Sequence, residues 1–140
     1  WIYLDKIRDP GNLGTILRSA LWFGFKNIIL SSESVDPYNP KAIRSGMGSH
    51  FGLNLYQSIR LNDFIKTHLI VSGSTCGEDI SNFKLPERYV LVLGNEAHGI
   101  SKDIAPLIKK SISIERLGEG ESLNLSSAAS ILMYSLTRKK

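Results

Sequence analysis

The sequence has little that would cross-link the chain or hold it in a membrane. Its one cysteine, Cys76, cannot form an intrachain disulfide or a Cys-x-x-Cys metal site. A chain without disulfides is typical of the reducing cytosol, so we expect a cytoplasmic protein. No run of about 18 apolar residues occurs, which predicts no transmembrane helix and no membrane partner.

Three common active-site signatures are also missing. No Gly-x-Gly-x-x-Gly follows the first predicted strand and no Gly-x-x-x-x-Gly-Lys-Ser/Thr occurs, which argues against the usual dinucleotide and nucleoside-triphosphate sites. A Gly-x-Ser-x-Gly elbow is absent too, so a serine hydrolase is disfavoured. The three histidines, His50, His68 and His98, show no close ligand spacing, and we expect no metal.

The composition is that of an ordinary folded domain. Of the 140 residues, 42% are apolar and 21% are charged, unlike the composition of disordered chains. This length suits one domain, so we expect residues 1–140 to form a single unit. Seventeen basic and thirteen acidic residues give a net charge of +4, with basic runs at 109–110 and 138–140. That charge permits a polyanionic partner, although solvated surface charge explains it equally well.

Short apolar runs alternate with segments of helical periodicity. Strands are predicted at residues 2–4, 27–30, 53–56, 69–72, 89–93 and 111–114. Helices are predicted around 13–21 and 125–136 and at 40–47, 61–67 and 101–108, with Ser101 capping the helix at 101–108. This alternation predicts an α/β domain with a mostly parallel sheet and helices on both faces. Ligands bind such sheets at the carboxyl ends of the strands.

The turn between the first strand and the first helix contains Asp9-Pro10-Gly11-Asn12. Here Gly11 can adopt a positive φ and Asn12 can cap the helix. Gly14 would let the backbone approach a neighbour closely. Arg18 lies one turn further on, where it would either reach a phosphate or a substrate hydroxyl or be an ordinary surface arginine.

Two further loops carry polar groups beside glycines. The predicted strand 89–93 runs straight into Gly94-Asn-Glu-Ala-His-Gly-Ile100, which resembles a ligand loop whose glycines expose backbone groups. The alternative is a structural loop in which Glu96 caps a neighbouring helix or holds a turn. Farther on, the glycine-rich segment 117–121 predicts a flexible loop before the last helix. There Asn124 would either cap the helix or fix a substrate or cofactor.

Three motifs together resemble one family. In order and spacing, Asn12-Leu-Gly-Thr-Ile-Leu-Arg18, Leu93-Gly-Asn-Glu-Ala-His-Gly-Ile100 and Ser122-Leu-Asn-Leu-Ser-Ser-Ala128 are similar to motifs one, two and three of the SpoU (TrmH-type) RNA ribose methyltransferases of the SPOUT superfamily. Each motif alone is weak, but three in register are specific. The resemblance covers the chain from Leu4 to about Leu136.

The resemblance implies a function and an architecture. It implies S-adenosylmethionine as methyl donor, a ribose 2′-hydroxyl of tRNA or rRNA as acceptor, and a homodimer whose active site draws on both chains. It also implies a C-terminal trefoil knot, which contradicts the general rule against threaded chains. Members of the family that this chain resembles most tend to carry an RNA-recognition domain before the first strand, so the resemblance leaves open such a domain upstream of residue 1.

The resemblance also assigns residues. The expected cofactor-binding residues are Leu93, Gly94, Ile114, Ser122 and Leu123. The expected catalytic residues are Asn12, Arg18, Glu96 and Asn124. Because a guanidinium stays protonated in proteins, we expect Arg18 to orient phosphate and stabilise charge, while a substrate phosphate or Glu96 takes the proton.

One position departs from the family pattern. Many members have proline followed by an apolar residue after the position of Ile114, whereas this chain has Glu115 and Arg116. Charge beside the adenine pocket keeps open a catalytically inactive RNA-binding or dimerisation module of the same fold. Methylation of a base rather than a ribose is disfavoured, because motif three matches the ribose-modifying branch.

Overall fold

Six parallel strands form the one sheet of the computed structural model, which describes residues 1–57 and 59–139. The sheet order is β3-β2-β1-β5-β4-β6, and all five neighbouring pairs are parallel. The strands are β1 Ile2–Leu4, β2 Asn27–Leu30, β3 Asn54–Tyr56, β4 Leu69–Asp79, β5 Tyr89–Leu93 and β6 Lys110–Ser113. The predicted parallel α/β sheet is thus confirmed, and all six carboxyl ends lie at one edge.

The three helices pack on one face of the sheet. They are α1 Pro10–Trp22, α2 Pro40–Gly46 and α3 Leu125–Thr137, and their buried residues join one core cluster with Ile2 and Leu4 of β1. Alternate strand residues point to opposite faces, so Tyr3 belongs to a second cluster on the other side. In residues 1–57 and 59–139, none of the helices is long and apolar enough to cross a bilayer.

The second face is covered differently from the prediction. Two 3-10 turns, Leu61–Phe64 and Ala105–Leu107, and the loops around them pack there. The predicted helices at 61–67 and 101–108, and hence α-helices on both faces, are therefore wrong. The four residues Leu61–Phe64 form too few hydrogen bonds to offset the cost of helix nucleation. In the other segment, Pro106 lacks the N–H that an α-helix needs.

The longest strand pairs with its neighbour in two registers. The sequence predicts that this strand ends at Ser72, but β4 continues to Asp79. It pairs Gly73 with Ile112 and, after a bulge, Glu78 with the same Ile112. The bulged residues 74–77 therefore stand away from the ladder at the carboxyl end of β6.

Helix caps fix where α1 and α3 begin. Asp9 caps α1, because its Oδ1 accepts the Asn12 N–H at 2.7 Å. The predicted cap by Asn12 is wrong, and so is the positive φ at Gly11. Pro10 occupies the first helical position, which leaves the preceding residue in the extended conformation of a cap. The alternative that Asn124 caps α3 is confirmed, since its Oδ1 accepts the Ser126 N–H at 2.9 Å.

Gly14 is the contact point between α1 and α2. A Cβ placed there would lie 1.9 Å from Ser45 Oγ and 2.3 Å from the Ala42 carbonyl oxygen. The prediction of a close approach at Gly14 is confirmed. The absence of a side chain lets α2 lie against α1, close to the start of α1.

We expect Gly14→Ala to lower the free energy of unfolding by about 1–3 kcal/mol, because the backbone at Ala42 cannot move without separating the two helices. The better helix propensity of alanine offsets at most about 1 kcal/mol of that loss. Gly118→Ala is the control, since nothing lies within 4 Å of its added Cβ. Urea denaturation measures both, and a Gly14→Ala protein as stable as Gly118→Ala would contradict this packing.

Candidate active site

Two neighbouring cavities open at the carboxyl edge of the sheet. The polar cleft, of about 700 Å³, lies between the start of α1 (8–12), the loop after β5 (95–98) and Asn124. The large pocket, of about 1230 Å³, is enclosed by the end of β4 with its bulge, the loop after β5, and the chain from β6 to α3. Asn95 and Glu96 line both cavities, so they form the wall between them.

The sequence-predicted residues divide between the two cavities. All five expected cofactor-binding residues, Leu93, Gly94, Ile114, Ser122 and Leu123, line the large pocket. Three of the four expected catalytic residues, Asn12, Glu96 and Asn124, line the polar cleft. The structure thus brings together eight of the nine, in two groups that meet at Glu96.

A chain of hydrogen bonds joins one residue from each motif. Asn12 Nδ2 donates to Glu96 Oε1 at 3.3 Å, and Asn124 Nδ2 donates to Asn12 Oδ1 at 3.1 Å. The side-chain Oδ1 of Asn124 in turn accepts the backbone N–H groups of Ser126 and Ser127 at the start of α3. Each amide therefore has one orientation, with its NH₂ directed toward the carboxylate side of the network.

The loop after β5 is tied to the segment after β1. Asn95 Nδ2 donates to the Lys6 carbonyl at 2.7 Å, while its Oδ1 accepts the N–H of Ala97 and of His98. Glu96 accepts the backbone N–H of Asp9 at 3.3 Å. The alternative role of Glu96, holding the start of a neighbouring helix, therefore coexists with its place in the cleft.

Gly94 is confined within this loop. A Cβ on Gly94 would lie 2.4 Å from the Gly99 carbonyl carbon, so the two ends of the loop pack against each other. Gly99 has a φ of 67°, a conformation that favours glycine. The two glycines let the loop close on itself, with both lining the large pocket.

Two residues that hold this loop were not predicted from the sequence. Asp5 is 1% exposed, and its carboxylate accepts the Ser101 N–H at 2.7 Å and the Ser101 hydroxyl at 3.3 Å. The predicted helix cap by Ser101 is therefore wrong. Lys6 has a φ of 55°, which is rare for a residue other than glycine. The sequence signal for their role was the occurrence of two consecutive charged residues directly after a buried strand.

Two lysines near the segment after β1 form salt bridges with carboxylates. Lys6 Nζ lies 2.6 Å from Glu33 Oε1, and this hydrogen bond raises the pKa of Lys6 above its ordinary value. Lys41 Nζ lies 3.3 Å from Asp9 Oδ2. The Asn12 N–H, together with Lys41, holds the pKa of Asp9 below its ordinary value.

Arg18 lies outside both cavities. It is exposed on α1, and within residues 1–57 and 59–139 its guanidinium makes no hydrogen bond or ion pair. The adjacent Ser19 hydroxyl bonds Ser130 of α3 at 2.7 Å. Arg18 therefore lies near the α1–α3 contact, while the start of the same helix lines the polar cleft.

The departure from the family pattern leaves the large pocket open. Glu115 and Arg116 are exposed on its wall, and Arg116 Nη1 donates to the Gly120 carbonyl at 2.8 Å. This bond closes the loop on itself. Leu123, which is 51% exposed, offers its apolar surface to the same pocket.

A parallel sheet with a polar cleft and a larger, partly apolar pocket at its carboxyl edge defines an α/β ligand-binding domain. Residues 1–134 match the SpoU rRNA Methylase family. The chain belongs to this family, and the resemblance found in the three motifs is confirmed.

Similar proteins have been named or solved. The chain is 32% identical over 143 residues to the 23S rRNA (guanosine(2553)-2′-O)-methyltransferase of Bacillus subtilis (strain 168), covering 96% of this chain and 56% of that protein. An AdoMet-bound rRNA methyltransferase from Sinorhizobium meliloti is 33% identical with a TM-score of 0.87, and the match covers 98% of this chain and 55% of that one. The SpoU methyltransferase AviRb from Streptomyces viridochromogenes, solved with AdoMet, is 28% identical with a TM-score of 0.90, covering 99% and 56%. The chain thus spans little more than half the length of these relatives.

The short distance between the Asn12 and Glu96 side chains should appear as a coupling energy between charges placed there. Asn12→Asp replaces the donor with a second carboxylate about 3 Å from the first, which should add about 1 kcal/mol of repulsion at pH 7. Glu96→Gln removes that repulsion, so the two changes should be non-additive in a double-mutant cycle of unfolding free energies. The cycle is needed because the new charge also gains from the start of α1. Additive effects would contradict the network.

The cap at Asp9 predicts a pH dependence of stability. Because its folded pKa is lowered, ionised Asp9 stabilises the protein above the unfolded pKa of about 4, and this contribution is lost as the pH falls through the folded pKa. Asp9→Asn keeps a capping oxygen but removes the charge. We expect the wild type to be more stable at pH 7, by less than about 1 kcal/mol for this partly exposed group, and the difference to shrink as the pH falls below about 4. Urea denaturation measures the unfolding free energies of both proteins, and a difference that stays constant from pH 7 to pH 3 would exclude this role.

Proposed function

We propose that this protein transfers a methyl group from S-adenosylmethionine to a ribose 2′-hydroxyl of rRNA or tRNA. The observation that carries the proposal is the hydrogen-bonded network of Asn12, Glu96 and Asn124, which joins the three family motifs beside the large pocket. The names of the relatives support the ribose hydroxyl as acceptor and rRNA as one substrate class.

The large pocket suits the cofactor. S-adenosylmethionine supplies an electrophilic methyl group on a sulfonium. Ile114 and Leu123 offer apolar surface for an adenine, with the nearly buried Leu93 behind them. The loop of Gly94 and the start of motif three at Ser122 offer backbone groups. Because Glu96 stands in the wall between the cavities, a group bound in the large pocket lies next to the polar cleft.

The polar cleft suits the ribose. Asn12 and Asn124 hold each other in fixed orientations, so their amides can position a sugar hydroxyl for in-line attack. Glu96 accepts bonds from Asn12 and from two backbone N–H groups, which fix the position of its side chain. We assign Glu96 first to holding the two asparagines in place. The proton of the ribose hydroxyl is taken by Glu96 or by a substrate phosphate.

The exposed position of Arg18 supports a homodimer. Trp22, which is 84% exposed, shares a face of α1 with Arg18, and Tyr134 of the adjoining α3 is 53% exposed. Large apolar side chains around an unpaired cation are typical of a protein interface. In a dimer formed through α1 and α3, Arg18 would enter the site of the partner and stabilise charge on the attacking oxygen.

Two finer features of the architecture belong to the same proposal. We propose the trefoil knot, supported by the double pairing of β4 with β6 and by α3 packing on α1. We also propose that residues 1–140 form the catalytic domain of a protein with an RNA-recognition domain. The incomplete coverage of the relatives supports a longer protein.

Mixing two inactive variants tests the shared site. We expect Arg18→Ala and Asn124→Ala each to lose methylation of rRNA and tRNA taken from cells that lack the gene. Mixed in equal amounts after dissociation and reassociation, they should recover about a quarter of wild-type activity, because half of the dimers are mixed and each holds one intact site. Mass spectrometry of digested RNA measures the product.

Other outcomes separate the alternatives. An Arg18→Ala protein with normal turnover would exclude the assigned role. No recovery on mixing would place both residues in the site of one chain. Calorimetry with S-adenosylmethionine that shows no binding at millimolar concentration would favour the inactive module, and a methylated base would move the acceptor away from the ribose.

A further inference from the structure

We infer that Arg8 binds a backbone phosphate of the RNA whose ribose enters the polar cleft. The inference rests on the proposed function and adds to it a phosphate site, which lies outside the three motifs. Arg8 lies between β1 and α1, on the wall of the polar cleft beside Asn12 and Glu96.

The backbone of Arg8 is held in place. Its N–H faces Glu96 Oε2 at 3.4 Å. The preceding Ile7 is fully buried and donates its N–H to Ser34 Oγ at 3.1 Å. The following Asp9 caps α1. The side chain of Arg8 therefore starts from a fixed point at the cleft.

The side chain, in contrast, is weakly engaged. The Arg8 side chain is 70% exposed, and its salt bridge to Glu33 spans 3.6 Å. Glu33 is held much more closely by Lys6, at 2.6 Å. An exposed pair of this length contributes little to stability, and a guanidinium has five N–H donors. Arg8 can therefore turn to another anion while Lys6 continues to neutralise Glu33.

The charges of the polar cleft explain why a cation is needed there. Asp9 and Glu96 both place carboxylates on its wall, and these repel an approaching polyanion. Among the described residues that line the cleft, Arg8 alone is permanently positive. A ribose seated against Asn12 carries a phosphate on either side, within reach of an arginine at the cleft. The planar guanidinium can bind such a phosphate through two parallel hydrogen bonds.

The test compares the intact protein with Arg8→Ala and Arg8→Lys. We expect Arg8→Ala to weaken binding of a fluorescent single-stranded RNA about tenfold and to raise the KM for methylation similarly, with kcat little changed. The slope of log affinity against log salt should become shallower by about 0.7, because one phosphate contact is lost. Arg8→Lys keeps the charge and should retain the slope and much of the affinity.

Two control variants exclude simpler explanations. Arg88→Ala removes the same charge at the amino end of β5, the opposite edge of the sheet, and should leave affinity and slope unchanged. Glu33→Gln removes the salt-bridge partner of Arg8. If Arg8 served only to hold Glu33, this variant would reproduce Arg8→Ala, whereas a phosphate role predicts RNA binding that is no weaker than in the wild type.

Calorimetry separates RNA phosphate from the carboxylate of the cofactor. S-adenosylmethionine should bind Arg8→Ala as it binds the wild type, and a weaker affinity would overturn the inference. So would an unchanged RNA affinity and slope in Arg8→Ala, or equal losses in Arg88→Ala. A wild-type protein that binds RNA through Arg8 but methylates none would instead contradict the proposed function alone.

Discussion

Hydrogen bonds between the segment after β1 and the loop after β5 are the interactions on which the rest of the site depends. The two strands are parallel neighbours, so their carboxyl ends meet. Asp5 then holds Ser101, and the Lys6 carbonyl holds Asn95. Because Asp5 is buried, loss of either bonding partner would leave polar groups unsatisfied, which keeps the loop in one position. Both cavities take their shared wall from this loop.

The same arrangement gives the two cavities different chemistry. The large pocket combines apolar side chains with a loop closed by Gly94 and Gly99, which suits a flat aromatic group and its polar substituents. The polar cleft holds amides and carboxylates in fixed orientations. Glu96 belongs to both, and its several donors make it a fixed acceptor between the proposed methyl-donor site and the proposed ribose site.

The exposed polar groups contribute more to the positions of the site residues than to the stability of the fold. Hydrogen bonds and ion pairs on a solvated surface add little to the free energy of folding, so the core formed by β1, β5 and α1 supplies the stability. The cations of the proposed site differ in the same way. Lys6 is engaged and shapes the chain, whereas Arg8 and Arg18 keep donors available for anions that come from outside the chain.

The sequence alone determined five strand positions to within one residue, the start of β4, the last helix, the family and eight residues that line the two cavities. These follow from local periodicity and from motif spacing, which any stretch of sequence displays directly. Only the tertiary structure decided that Asp9 rather than Asn12 caps α1, that 3-10 turns cover the second face, that Ser101 serves Asp5, and that Arg18 lies outside both cavities. The physical reason is separation along the chain. Asp5 and Ser101 are 96 residues apart, and Asn12 and Asn124 are 112 apart, so these partners meet only when the parallel sheet brings its carboxyl ends together.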